Sequence, residues 1–165
     1  MVHPVVVLAD LEVDAVERLL DCYGLELVLL PRQCDIPASF WGAPEAGLAA
    51  RSVFARADTP IHSVLHEVSH YICMPPNRRV HLWRDAGGDD MEECAVCYLQ
   101  ILLGDEIPTL GSARLLDDLD AWGYSFREGS VRAWFSGDGK DAKDWLVQHG
   151  LIDGAARPTH RLRAA

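Results

Sequence analysis

One stretch constrains this chain more than any other. Residues 61–73 read I-H-S-V-L-H-E-V-S-H-Y-I-C, so a helix that must bury one face also carries His66, Glu67 and His70 in the order H-E-x-x-H. On an α-helix, positions four apart lie about 40° from each other on one face, which brings both imidazoles within reach of a single cation. Glu67 lies about 100° round from His66, an offset that lets its carboxylate meet a water beside the cation without ligating it, as a general base must. From a composition with 7 His in 165 residues, roughly 0.02 chance occurrences of the pattern are expected. An amphipathic helix whose histidines merely face solvent is the weaker account. Asp58 or Thr59 is predicted to cap the helix, Pro60 to open it, and Met74-Pro75-Pro76 to end it. Val64, Leu65, Val68, Tyr71 and Ile72 form its apolar back, opposite the histidines.

The chain is 165 residues long and 49% hydrophobic, enough for one domain with a real core and too short for two. A net charge of −10 with 15 Lys+Arg argues against direct nucleic-acid binding or an anionic membrane surface. The N-terminal sequence has no secretory pattern and no run approaches a membrane span. Five cysteines, Cys22, Cys34, Cys73, Cys94 and Cys97, are an odd number that favours reduced thiols, so a cytoplasmic protein is expected.

In chain order, Val5–Leu8 reads as a short strand or lead-in, Glu12–Tyr23 as a helix closed by Gly24, and Leu25–Leu30 as a strand ended by Pro31. Ser39–Trp41 is a second short strand, and Ala49–Ala57 a third, at the sheet edge, where an extended peptide has unpaired backbone to meet; an ordinary covered edge is equally consistent. Residues 75–88, with Arg78, Arg79, His81, Trp83 and Arg84, read as a solvated basic loop, or one that binds an acidic substrate.

Asp90–Leu103 is the next strong helix, with Ala95, Val96, Leu99, Leu102 and Leu103 facing inward. With Glu92 at zero, Leu99 lies near about −20°, Val96 near about +40° and Leu103 near about +20°, which puts Glu92 on the buried stripe and Glu93 at its margin. A buried carboxylate demands a cationic partner, and a metal on His66 and His70 would be one, so Glu92 is the predicted third ligand. Two His and one Glu with an open position is a catalytic zinc arrangement; structural zinc closes four ligands, usually with Cys. Cys94 and Cys97 stand mid-helix with no second pair and read as packing residues. His62 and Cys73 share the face of His66 and His70, as a fourth ligand or as supporting polar groups.

Beyond Pro108, Ser112–Trp122 is a helix ended by Gly123, and Trp134 with an Asp138–Gln148 helix completes a helical part spanning about 108–154, after a metal core of about 24–104. Residues 155–165, with Arg157, Arg161 and Arg163, read as a flexible basic tail on a single domain of residues 1–154.

A strand leading into H-E-V-S-H, followed by E-E-C-A-V-C-Y-L-Q-I-L-L, resembles gluzincin-type zinc metallopeptidases, most of all the ImmA/IrrE group. The second metal helix of that group reads approximately E-x-x-A-x-x-F-A-x-x-L-L, matched here by Glu92, Ala95, Tyr98, Leu102 and Leu103. The resemblance covers roughly Gly24 to Leu103. It implies a cytoplasmic zinc peptidase, in that group often acting on a repressor protein, with His66, His70 and Glu92 on Zn2+ and Glu67 as base.

The expected fold is therefore α+β and zincin-like, a small twisted sheet packed against two metal-bearing helices with a helical C-terminal part. The expected reaction is hydrolysis of a protein or peptide substrate. A catalytically silent, metal-stabilised binding module and a small-molecule metallohydrolase use the same ligands. For stabilising the oxyanion, the candidates are Tyr71, His81, Tyr124 and His149.

Overall fold

The structure is a computed structural model that describes residues 4–123 and 129–165. Among them are seven α-helices and one three-stranded sheet, an α+β arrangement, and no helix is long and apolar enough to cross a membrane. Helix α1 (Val13–Asp21) turns Ala15, Val16, Leu19 and Leu20 inward and gives way through Gly24, whose φ of +71° suits glycine, to strand β1 (Glu26–Leu30). Strands β2 (Gly47–Ala49) and β3 (Ser52–Arg56) form a tight hairpin.

The strand order is β1-β3-β2, with β1 parallel to β3 from Glu26↔Ser52 to Leu30↔Arg56 and β2 antiparallel to β3. The strand expected at the edge, within Ala49–Ala57, is thus the central one, because β1 pairs with it from 26 residues away (Glu26↔Ser52), a contact no local pattern announces. Ser39–Trp41 is not a strand but supplies one bridge, Ser39↔Gly47. The outer side of β2 is covered as well: Ala49 bridges Trp83, Arg84 N–H donates to the Leu48 carbonyl at 2.9 Å, and Leu48 N–H donates to Ala38 at 3.3 Å. A peptide therefore finds no open edge there. At the N-terminal end, Val5–Leu8 contributes a bridge, Val7↔Pro60, and a 3-10 turn over Leu8–Asp10.

Helix α2 (Ile61–Cys73) lies against the sheet with Val64, Leu65, Val68 and Ile72 fully buried. Its start departs from the expected capping. Pro60 is itself the N-cap, while Asp58 is tied to Arg56 and the Thr59 hydroxyl accepts from Arg56 N–H; Ile61 N–H donates instead to the Val6 carbonyl at 2.9 Å. A short helix α3 (Pro76–Arg79) follows, then α4 (Asp90–Gly104), which packs along α2 through Ala95, Val96, Leu99 and Leu103. Asp89 caps α4, its carboxylate accepting from Glu92 N–H at 2.8 Å. Asp89→Ala should cost about 1 kcal/mol. At this chain length, thermal denaturation should show the midpoint falling by roughly 2–4 °C.

Helices α5 (Ser112–Trp122), α6 (Val131–Ser136) and α7 (Lys140–Gln148) close the core with Leu115, Leu119, Trp134 and Leu146. Residues 155–165 do not form a free tail. Leu162 packs on the core, and Arg163 donates its backbone N–H to the Ile72 carbonyl at 2.9 Å and its guanidinium to the Cys73 carbonyl at 3.2 Å. Its guanidinium also lies 5.1 Å from the centre of the Trp145 ring. Arginine composition made this segment look solvated, but carbonyls left open at the C-terminus of α2 take its donors.

Candidate metal site

Because i and i+4 share a helix face, α2 presents His66 and His70 together, with ring centroids 4.6 Å apart and rings nearly perpendicular at 89°. The carboxylate that meets them belongs to Glu93. Its Oε1 lies 3.3 Å from His66 Nε2 and its Oε2 3.4 Å from His70 Nε2, and one donor atom from each of the three residues falls within 4.8 Å of the others. Burial pushes the Glu93 carboxyl up, but its close contacts with His66 and His70 outweigh burial and hold the group below its ordinary value. Burial, and then the neighbouring His66, push His70 down to about 3, which favours the neutral imidazole a metal requires.

Glu92 is not brought to this site. It is buried, at 4% exposure, as its helical phase predicted, yet the cations that meet it are arginines. Arg78 donates to both carboxylate oxygens, at 2.6 Å to Oε2, and Arg163 donates to Oε1 at 2.9 Å. Gly88 makes room for the pair. Its φ is +102°, and a Cβ there would stand 2.3 Å from Glu92 Oε2. The 75–88 segment is therefore not simply a solvated loop: Arg78 is engaged by Glu92, and Arg79 donates to the carbonyls of Tyr71 at 3.1 Å and Met74 at 2.8 Å.

Glu67 lines the same cleft of about 250 Å3 as His66, His70 and Glu93, together with Phe40, Trp41, Arg84 and Asp85. Burial pushes its carboxyl up to about 7, with His66 opposing and Glu45 and Glu93 adding to the rise. Phe40 and Trp41 stand at the rim, Trp41 with 78% of its surface exposed.

Other candidates lie elsewhere. His62 is buried, packs edge-on to Trp122 at 5.1 Å, and is pushed down to about 4 by burial and by His66; it is outside the donor cluster. Cys73 is fully buried, and desolvation, then Glu92, push its thiol up. Cys94 and Cys97 also stay outside the cluster, with Cys97 buried in the core. Tyr71 lies 5.7 Å under the Arg79 guanidinium and His149 stacks on Trp145 at 3.9 Å, while His81 is exposed and none of the three lines the cleft; Tyr124 is outside the described residues.

Two imidazoles and one carboxylate on the wall of a cleft are a donor set that could hold a metal ion. The chain matches no family model, no curated protein and no solved structure.

Sequence reasoning missed Glu93 and one further residue, Gln100. Gln100 is completely buried on α4; its Oε1 lies 2.7 Å from His66 Nδ1 and its Nε2 donates to the His62 carbonyl at 3.1 Å. A signal for both existed. Positions seven apart on a helix differ by only about 20°, so an amide seven residues beyond Glu93, inside an apolar run, marks Glu93's side of the helix as polar where it meets α2.

Proposed function

We propose that this chain is a zinc-dependent hydrolase of peptide bonds, with His66, His70 and Glu93 holding the ion and Glu67 as general base. The observation that carries this reading is the convergence of two imidazole nitrogens and a carboxylate within 4.8 Å on the wall of a cleft that Glu67 also lines. Held by His66, His70 and Glu93, zinc would supply a Lewis acid for a carbonyl oxygen and a water of lowered pKa, toward ~7. Glu67 takes a proton from the attacking water and passes it to the leaving amine. Phe40 and Trp41 give the cleft an apolar wall for substrate side chains, and Arg84, in the same lining, offers a guanidinium for a polarised carbonyl oxygen or a carboxylate. Of the resemblance to the ImmA/IrrE group, the H-E-V-S-H helix is the part that supports a protein substrate and a zincin-like fold; the match of the second helix rests on Glu92 and does not carry over to Glu93.

Purified protein should contain about one zinc per chain. Glu67→Gln should keep that metal and lose hydrolysis of a protein substrate by about 10²-fold or more, because the amide preserves shape and cannot accept the proton. Elemental analysis with no first-row metal, before or after reconstitution, would sink the proposal. Metal binding without Glu67-dependent turnover would leave the silent binding module in its place.

A further inference from the structure

We propose that Gln100 is a positioning residue that fixes the tautomer of His66 and so aims an unprotonated Nε2 at the metal position, an inference that rests on the metal reading of the cluster. The carboxamide sits in a fully buried slot between α4 and α2 and meets two groups of α2 at once. Its contact with the His62 carbonyl, at 3.1 Å, orients it, because a carbonyl oxygen only accepts and the amide must therefore turn its NH2 that way. Oε1 is left facing His66 Nδ1 at 2.7 Å, and an amide oxygen also only accepts. Nδ1 must carry the hydrogen.

In a neutral imidazole with hydrogen on Nδ1, Nε2 is a bare lone pair. That lone pair faces Glu93 Oε1 at 3.3 Å, an acceptor opposite an acceptor, which a cation between them would reconcile. A ligand histidine whose other nitrogen is held by a carbonyl or carboxylate is the usual way in which ring orientation and basicity are set at a metal. Here an amide oxygen takes that role. A leucine at position 100 would continue the apolar run of α4, but it would leave the His66 Nδ1–H and the His62 carbonyl without these partners in a dry interface.

The test uses full-length, metal-free protein labelled with 15N in its histidines, at a pH above the ordinary histidine range, where two-bond 1H–15N correlations distinguish the two neutral tautomers. Wild-type His66 should show the Nδ1–H form. Gln100→Met, similar in length but without an acceptor, should shift His66 toward the Nε2–H form that free imidazole prefers. Its zinc affinity, measured by chelator competition, should fall about 10–100-fold. Gln100→Glu, which keeps an acceptor, should retain the Nδ1–H form. A wild type in the Nε2–H form overturns the inference, whether or not the methionine variant folds; so does a methionine variant with unchanged tautomer and affinity. Wild-type protein with the Nδ1–H tautomer but no zinc uptake would keep Gln100's hold on His66 and remove the metal reading.

Discussion

Glu93→Ala is expected to abolish tight zinc binding while leaving the fold standing. The substitution leaves two imidazoles where three donors converged, so affinity should fall by more than the ~10–100-fold that follows loss of a ligand's supporting partner. The Glu93 side chain is 49% exposed, so in the metal-free protein the change in stability should stay within about 0.5 kcal/mol, as for most surface substitutions. Competition against a chromogenic chelator, paired with thermal melts in excess chelator, separates the two effects. Wild-type affinity in this variant would remove Glu93 from the site.

The neighbouring carboxylate should behave in the opposite way. Glu92→Ala removes the shared partner of Arg78 and Arg163 and leaves two guanidinium groups facing a buried gap. Breaking a buried ion pair on one side usually costs 3–5 kcal/mol, and because both arginines keep some contact with water, a loss of about 3 kcal/mol is expected. That corresponds to a fall in the thermal midpoint of roughly 6–12 °C for a domain of this size. Below that midpoint His66, His70 and Glu93 are intact, so zinc affinity of the folded variant should change by no more than a few-fold. A variant of wild-type stability that binds no zinc would reverse the two roles.

Two adjacent glutamates with exchanged roles show what the sequence could convey here. Helical phase correctly buries Glu92, because which side of a helix is apolar is a local property. The counter-charge is not local. Arg163 arrives from 71 residues away and Arg78 from 14, and the only cationic partner visible to local reasoning was a metal on His66 and His70. The pairing of His66 with His70 was legible because it needs only i, i+4 geometry, and α4 was expected over Asp90–Leu103 and runs over Asp90–Gly104. The rank of β3 in the sheet was not legible, since strand order is decided by β1 reaching across from the other side of the chain. The same limit applies to Arg163, whose docking depends on carbonyls that the end of α2 leaves without a helical partner.

Two stretches that cover the outer side of β2, Ala38–Ser39 and Leu82–Arg84, run on into Phe40, Trp41 and Asp85–Gly87, which wall the cleft. The shape of the cleft and the cover on the sheet edge are therefore coupled. Any excursion that widens the cleft by lifting the second stretch also strips the Arg84 donor from Leu48 and leaves a strand margin with unsatisfied backbone, the surface on which another chain can add a strand.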